Sequence, residues 1–227
     1  LVVLSFSMNQ ETPAQKKRSG TRLADLKPVP PQISYTVSMS KPWTHLLEVE
    51  MRVQWDKMPD ITEIKMPVWT PGSYLIREYA RHVQSFSVKN TAGADLGWRK
   101  INKNTWAVDS KGTGQFVVAY KVYSNELTVR TNEVNDEHAF WNNTATLMYV
   151  KDQLKTPSTV TVNPYGNWKI ATGLPKVPGQ SNTFRAENFD ILYDAPFEVS
   201  NFNEISFDVQ GKPHRIVFTG EGNYDMK

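Results

Sequence analysis

Hydrophobic and polar residues alternate along most of the chain from residue 32 onward. In LLEVEMRVQW, apolar side chains occupy every second position from Leu47 to Trp55, with charged or polar residues between them. This period of two places the apolar side chains on one face of an extended strand and the polar ones on the other. The same alternation recurs in GQFVVAYKVYS, STVTVN, EISFDV and HRIVFTG. These segments therefore predict a series of strands, and in EISFDV the apolar face would carry Ile205, Phe207 and Val209.

Turn-forming residues separate the alternating segments. Clusters of Gly, Pro, Asn and Asp stand at residues 58–60, 92–95, 111–114, 163–166 and 178–179. Many short strands joined by such turns are typical of a β-sandwich or of a saddle-shaped pair of sheets. Strands do not alternate with helices, and no internal repeat is visible. We therefore predict an all-β domain, an antiparallel β-sandwich or saddle-shaped sheet pair with one or two short helices.

The best helical candidate is the stretch MPVWTPGSYLIREYARHV, residues 66–83. Pro71 and Gly72 would end a strand and turn a corner, and Ser73 could cap about two helical turns. At helical spacing, one apolar stripe would contain Leu75, Ile76, Tyr79 and Val83. Glu78 could reach Arg81 or His82 on the neighbouring turn. A second short helix is predicted in AENFDILYDAP.

Composition narrows the class of protein. The chain has 227 residues, of which 39% are hydrophobic and 22% charged, values typical of a globular domain. The net charge of +3 is too small to indicate a nucleic-acid partner. Because the sequence contains no cysteine, disulfides, cysteine-bound zinc and cysteine nucleophiles are excluded. No apolar run approaches the roughly 20 residues of a membrane span.

Motifs of known catalytic sites are absent. The four histidines, at positions 45, 82, 138 and 214, lie far apart, and the sequence has no HExxH zinc motif. It also lacks the G-x-S-x-G nucleophile elbow and the glycine-rich phosphate loops. A carboxylate pair for glycoside hydrolysis has no supporting motif. The run Asp136-Glu137-His138 could hold a metal ion, although an acidic loop before a strand is the commoner reason for such a run.

Two sets of side chains could bind a ligand. Tryptophans on an exposed face could stack on sugars, or they could belong to the core or to contacts between domains. The candidates are Trp43, Trp55, Trp69, Trp98, Trp106, Trp141 and Trp168. Arg77 and Arg81 could clamp a carboxylate, including a peptide's terminus, or pair with Glu78 and with acidic residues of a neighbouring strand or domain. The triplet Asn142-Asn143-Thr144 matches a glycosylation acceptor.

The stretch MPVWTPGSYLIREYARHVQSFSV resembles the hallmark of the N-terminal domain of the glycyl-aminopeptidase family of zinc metallopeptidases. Members of this gluzincin family carry a thermolysin-like catalytic domain and a PDZ domain further along. Four more segments resemble the family in order: KNTWAV, VAYKVYSNELTVRTNEVNDEHAFWNNTATLMYV, FDILYDAPFEVSNF and HRIVFTGEGNYD. In the third of these, Ala195 stands where the family usually has Ser. The resemblance runs from about Gln32 to Lys227.

The resemblance implies that this chain is the front of a larger enzyme. The zinc ligands of the family come later than Lys227, so no catalytic or metal residue is assigned here, and the chain should be inactive alone. The domain would pack on the catalytic domain and shape the cleft for a peptide substrate, with Tyr74, Arg77, Glu78 and Arg81 facing the cleft or the domain interface. Its partners would be the catalytic and PDZ domains of the same protein.

The expected organisation has three parts. Residues 1–31 are read as a linker, beginning with LVVLSFS, which is either the remnant of a secretory signal or a short first strand. Residues 32–220 form the β-rich domain, and residues 221–227 begin the connection to the catalytic domain. A periplasmic or secreted bacterial protein is expected. The alternative function is a stand-alone β-sandwich module that binds carbohydrate or protein.

Overall fold

The computed structural model describes residues 29–222. The predictions for residues 1–28 and 223–227 lie outside the described residues. In chain order, the strands of the described part are β1 (Gln32–Ser38), β2 (Leu46–Gln54), β3 (Ile61–Lys65), β4 (Val83–Asn90), β5 (Trp98–Asn102), β6 (Thr105–Asp109), β7 (Gln115–Tyr123), β8 (Glu133–Val134), β9 (His138–Trp141), β10 (Tyr149–Val150), β11 (Ser158–Asn163), β12 (Lys169–Thr172), β13 (Thr183–Ala186), β14 (Phe197–Ser200), β15 (Asn203–Val209) and β16 (Lys212–Phe218). Its helical elements are α1 (Phe189–Tyr193) and the 3-10 turns Pro42–Thr44, Tyr79–His82 and Asn143–Ala145.

The strands form three larger sheets and one hairpin. The first sheet has six strands in the order β13-β11-β1-β2-β7-β4. Two sheets of four strands follow the orders β10-β3-β6-β5 and β12-β14-β9-β8, and β15 pairs with β16. Adjacent strands are antiparallel except for β1 and β11, which run parallel. The all-β prediction is confirmed, and this parallel pair is the departure from it, because strand alternation does not specify the direction of a distant partner.

The three larger sheets contribute to one hydrophobic core. On β2, Leu47, Val49, Met51 and Val53 are buried, as the alternation predicted. Aromatic side chains connect the sheets. Phe86 on β4 stacks on Trp106 of β6 at 5.1 Å between ring centroids, and Phe184 of β13 meets Phe197 of β14 edge-on at 5.5 Å. Each such ring buries a large apolar area and stabilises the packing of one sheet on another.

The helix predicted after Ser73 is wrong. A bridge between Thr70 and Ser73 closes a turn, and only Tyr79–His82 forms one 3-10 turn. Instead of bonding within a helix, the Arg77 amide donates to the carbonyl of Val68. Two helical turns are too short to be stable without a buried apolar face. The predicted stripe is not buried, because Leu75 and Ile76 are exposed while Tyr79 is in the core.

The second predicted helix is confirmed as α1. The side chain of Asn188 accepts a hydrogen bond from the Ile191 amide and caps its first turn. Phe189, Leu192 and Tyr193 are its buried face. Although α1 has only five residues, it packs aromatic and aliphatic side chains against the core.

The strands predicted at EISFDV and HRIVFTG form β15 and β16, which pair as a hairpin, but the apolar face of β15 is not covered. Phe207 is 43% and Val209 46% exposed, and Ile205 is half-buried. Phe207 stacks on His214 of the paired strand at 5.5 Å. A two-stranded ribbon has no second layer of its own, so the period of two predicted the strand correctly and its burial incorrectly.

An irregular segment, residues 142–148, lies buried among the sheets. Because a buried peptide group needs a hydrogen-bond partner, side chains from other elements serve this segment. The Tyr35 hydroxyl donates to the Met148 carbonyl at 2.7 Å, and the Tyr120 hydroxyl donates to the Thr146 carbonyl at 2.8 Å. We call residues 142–148 the buried segment.

Asn143 fastens the buried segment to α1. Its side-chain amide donates to the carbonyls of Leu192, at 2.9 Å, and Ala195, at 2.7 Å. Its side-chain oxygen accepts the Trp141 indole N–H at 3.0 Å. Asn143 is fully buried. The loss of its side chain would leave the Trp141 indole N–H and the Ala195 carbonyl without this partner, whereas the Leu192 carbonyl would keep the bond from the Ala195 amide.

We predict that Asn143→Ala lowers the free energy of unfolding by about 3 kcal/mol, because unsatisfied buried polar groups each cost about 1–3 kcal/mol. Urea denaturation followed by tryptophan fluorescence measures the change. The matched control is Asn163→Ala, since Asn163 is exposed and its amide bonds only the Ser38 hydroxyl. The control should change stability by less than about 0.5 kcal/mol. Equal effects of the two variants would contradict the role assigned to Asn143.

Candidate functional site

Strand pairing brings two loops to the same end of the six-stranded sheet. β4 and β7 are antiparallel, with Val83 opposite Val122. The residues that precede β4 therefore lie beside those that follow β7. We call residues 66–82 the corner segment and residues 124–132 the Arg130 loop. A bulge between Gln84 and Ser87, with Ser85 at φ 55°, bends β4 directly beside this end.

The corner segment projects three consecutive apolar side chains. Gly72 adopts φ 77° at the turn, a conformation that residues with a Cβ rarely adopt. Beyond the turn, Tyr74 is 89%, Leu75 67% and Ile76 79% exposed. A run of this size is unusual on a surface that faces only water. The segment then returns to the core at Tyr79.

The Arg130 loop is held by its own hydrogen bonds. The Glu126 amide donates to the Asn132 carbonyl, and the Thr131 hydroxyl donates to the Glu126 carbonyl at 2.6 Å. The Arg130 amide donates to the Thr128 hydroxyl at 3.1 Å. At its base, the Asn132 side chain accepts a bond from the Asn142 amide at 2.9 Å. The loop is therefore anchored on the buried segment.

A groove of about 290 Å³ separates the corner segment from the Arg130 loop. We call it the arginine groove. Its lining includes Arg77, Tyr79, Arg81, His82, Glu126 and Arg130.

Among the described residues, neither Arg77 nor Arg81 forms an ion pair with Glu78, which was one of the two roles that the sequence left open for them. Glu78 forms its ion pair with Lys103, and this bond with Lys103 is the main reason that the pKa of Glu78 is lowered. The Arg81 Nε donates to the His82 ring at 3.0 Å. Arg77 donates through Nη2 to the Ser73 hydroxyl at 2.9 Å, while its buried Nε has no partner.

Tyr79 places a buried hydroxyl among these charges. Burial raises the pKa of Tyr79, and the neighbouring Thr144 hydroxyl and the guanidiniums of Arg77 and Arg130 partly offset that rise. Neither the Tyr79 nor the Thr144 hydroxyl has a hydrogen-bond partner of acceptable geometry. In the same groove, burial and the charge of Arg81 lower the pKa of His82, so this imidazole is neutral at pH 7.

The structure groups Arg77, Glu78 and Arg81 at the arginine groove and places Tyr74 on the neighbouring projection. Sequence reasoning missed Tyr79 and Arg130 as members of the site. Tyr79 was assigned to an apolar helical stripe. Arg130 lay in a segment quoted only for its family resemblance, and no spacing rule connects it to Arg77. The pairing of β4 with β7 makes that connection.

No group of three or more His, Asp or Glu side chains within residues 29–222 is arranged to hold a metal ion. Asp136 and Glu137 are exposed, whereas His138 points into the fold between two other carboxylates. Its Nε2 lies 3.1 Å from Glu133 and its Nδ1 lies 3.3 Å from Glu198. The metal hypothesis for 136–138 is therefore not supported.

Three of the seven tryptophans are exposed: Trp43, Trp69 and Trp98. Trp55 is half-buried against the core, as expected, and the other three are buried. The glycosylation reading does not fit the fold, because Asn142 is buried and its amide donates to the Thr131 carbonyl at 3.0 Å. Helices long and apolar enough to cross a bilayer are not found among the described residues.

Comparison with known proteins identifies what the chain resembles. Residues 34–201 match the family model of the peptidase M61 N-terminal domain. An aminopeptidase N family protein from Idiomarina loihiensis is 30% identical with a TM-score of 0.80, covering 86% of this chain and 33% of its own. A mutant M1 zinc metallopeptidase from Deinococcus radiodurans is 12% identical with a TM-score of 0.46, covering 82% of this chain and 46% of its own. No curated protein matches the chain.

The chain spans about a third of the Idiomarina protein. The matched residues include both the corner segment and the Arg130 loop. The site described above therefore lies within the matched region, whereas the β15–β16 hairpin follows it.

We predict that His138 makes stability depend on pH. Hydrogen bonding to Glu198 raises the pKa of His138 above its ordinary value of 6.5, against the opposing effect of burial. The stabilisation is therefore complete below pH 6.5 and is lost as the pH rises through the folded-state pKa. The stability difference between wild type and His138→Gln in urea denaturation should shrink as the pH rises above 6.5, since the folded-state imidazole then loses its proton.

The control for this prediction is His82→Gln. The pKa of His82 is lowered below 6.5, so the folded state favours the neutral ring. The wild type should therefore gain stability relative to this variant as the pH rises toward 6.5, and the difference should be constant above it. The same pH trend in both variants would show that His138 is not the group responsible.

Proposed function

The chain belongs to the peptidase M61 N-terminal domain family, and from this membership we propose that it is the non-catalytic N-terminal domain of a zinc metallo-aminopeptidase. The family resemblance found in the corner segment is thereby confirmed at the level of the domain. The Idiomarina protein, an aminopeptidase N family member of which the match covers 33%, supports the proposal that further domains accompany this one.

The proposed division of chemistry follows from the side chains present. The 227 residues contain no HExxH motif, so zinc would be held by a catalytic domain outside this sequence. When bound there, zinc would activate water for attack on the first peptide bond of a substrate. The residues of this chain would bind and orient, and they would not exchange protons with the reacting atoms.

The observation that carries the proposal is the exposed end of the six-stranded sheet. Tyr74, Leu75 and Ile76 project from the corner segment, and Leu127 and Val129 are exposed on the adjoining Arg130 loop. Exposed apolar side chains that form one patch are typical of a contact surface between proteins or domains. We assign this end to the contact with the catalytic domain and to one wall of the substrate cleft.

The β15–β16 hairpin is assigned to the connection with the catalytic domain. The family match ends at residue 201, and the hairpin begins at 203. Its strands pair only with each other among the described residues, and its apolar face is open. The proposed domain boundary is therefore near residue 201 rather than the expected 220. A PDZ domain further along and a periplasmic or secreted location remain proposals drawn from the family resemblance.

We predict that the corner segment is covered in the longer protein. Amide hydrogen exchange at residues 73–78 should be at least about tenfold slower there than in the 227-residue chain, since burial at an interface protects exposed amides. Leu75→Ser with Ile76→Ser should remove most of that protection and lower kcat/KM for short peptides by roughly tenfold, the cost of losing a small interface anchor.

The matched control for this experiment is Leu154→Ser with Ile191→Ser. Both side chains are exposed and apolar but lie near α1, away from the proposed interface. The control should leave exchange and turnover unchanged. Equal exchange of residues 73–78 in the short and long proteins would refute the docking assignment.

We also predict that the 227-residue chain does not hydrolyse peptides when supplied with zinc. The reason is that no set of zinc ligands is present among its described residues. Amino acids released from a short peptide can be measured by chromatography, with the longer protein as the positive control. Hydrolysis by the purified chain alone would overturn the proposed division of chemistry.

A further inference from the structure

Two guanidiniums in the arginine groove lack a counter-charge. Neither Arg77 nor Arg130 has a carboxylate within ion-pair distance among residues 29–222. Arg77 is half-buried, and its Nε is screened from water without an acceptor. A buried charge without a partner is strongly unfavourable. The groove is therefore expected to favour the binding of an anionic hydrogen-bond acceptor.

The Tyr79 and Thr144 hydroxyls are further polar groups without a hydrogen-bond partner. Tyr79 lines the groove within electrostatic reach of both Arg77 and Arg130. Its buried hydroxyl and that of the adjacent Thr144 have no hydrogen-bond partner. Guanidinium N–H groups can only donate, and a hydroxyl can donate. Of these groups, Arg77 and Tyr79 line the groove, so unused donors of both residues lie beside the same volume.

The charge balance of the groove favours an anion. Three arginines line it, and of its two carboxylates Glu78 is already paired with Lys103, which leaves Glu126 to offset them. The lining therefore carries an excess of positive charge, which a bound anion would reduce. A planar carboxylate also fits the fork of a guanidinium better than other anions of its charge.

We propose that Arg77, Arg130 and Tyr79 form a carboxylate-binding site in the arginine groove. The guanidiniums bind the two carboxylate oxygens, and the Tyr79 hydroxyl donates a further hydrogen bond. Arg81 is a lesser contributor, because its Nε is already bonded to His82. The proposed site therefore uses Arg77 and Arg130, whereas the sequence suggested that Arg77 and Arg81 would bind the carboxylate.

The bound carboxylate could belong to a peptide substrate or to an acidic side chain of the catalytic domain, and both of these sources rest on the proposed function. The binding of a free carboxylate to the groove does not depend on the proposed function. A free carboxylate should bind to the 227-residue chain, so a failure of domain docking and a failure of this site give different results.

The test uses NMR of the 227-residue chain labelled with ¹⁵N at arginine. N-acetyl-alanine, which has a carboxylate, is compared with N-acetyl-alanine amide, which has none. The Arg77 Nε–Hε signal should shift in a saturable way with the first probe alone. Arg77→Lys should weaken binding at least tenfold because the bidentate fork is lost. Tyr79→Phe, which keeps the ring, should weaken it about three- to tenfold, as expected for one hydrogen bond.

Arg52→Lys is the matched control, because Arg52 is exposed on β2, away from the groove, and it should leave binding unchanged. Absence of a saturable shift, or equal binding of the amide, would overturn the proposal. The source of the carboxylate is resolved in the longer protein. If an acidic side chain of the catalytic domain occupies the site, N-acetyl-alanine no longer shifts the Arg77 signal. If a substrate uses the site, the probe still binds and competes with peptide hydrolysis.

Discussion

The hydrogen-bonding requirement of the buried segment is the constraint on which the rest of the domain depends. Residues 142–148 lie where the sheets meet but are not themselves part of a long strand, so their peptide groups need partners from elsewhere. Tyr35, Tyr120 and Asn132 supply such partners. Each comes from a different part of the chain, so the sheets can pack only in the arrangement that brings all three to the buried segment.

The same network positions the candidate site. Asn132 at the base of the Arg130 loop contacts Asn142 and the Thr146 hydroxyl, both in the buried segment. Thr144, in the middle of that segment, lies beside Tyr79 of the corner segment. The polar groups of the interior are thus nearly all satisfied, whereas those of the arginine groove are not. The Arg77 Nε and the Tyr79 hydroxyl are the groups of the groove that remain available to a ligand.

Strand positions were predictable because burial of one sheet face imposes a period of two on the sequence. Strand partners were not predictable, since the parallel pairing of β1 with β11 joins residues more than a hundred positions apart. The helix prediction for the corner segment was wrong for a different reason. Leu75 and Ile76 fit a helical stripe only if a surface of this domain covers them, and no such surface does. The family resemblance made Arg77 a candidate site residue, but only the pairing of β4 with β7 adds Arg130 to the candidate site.

The alternative function, a carbohydrate-binding module, accounts for fewer of these features. A neutral sugar could stack on Trp43, Trp69 or Trp98 and accept hydrogen bonds from Arg77. It could not supply the negative charge that the half-buried guanidiniums lack, because hydroxyl groups of sugars are not ionised at neutral pH. Exposed aliphatic side chains such as Leu75, Ile76 and Val129 also have no part in sugar stacking, which uses aromatic faces. A partner that combines an apolar surface with a carboxylate satisfies both halves of the site, and another domain or a peptide has both.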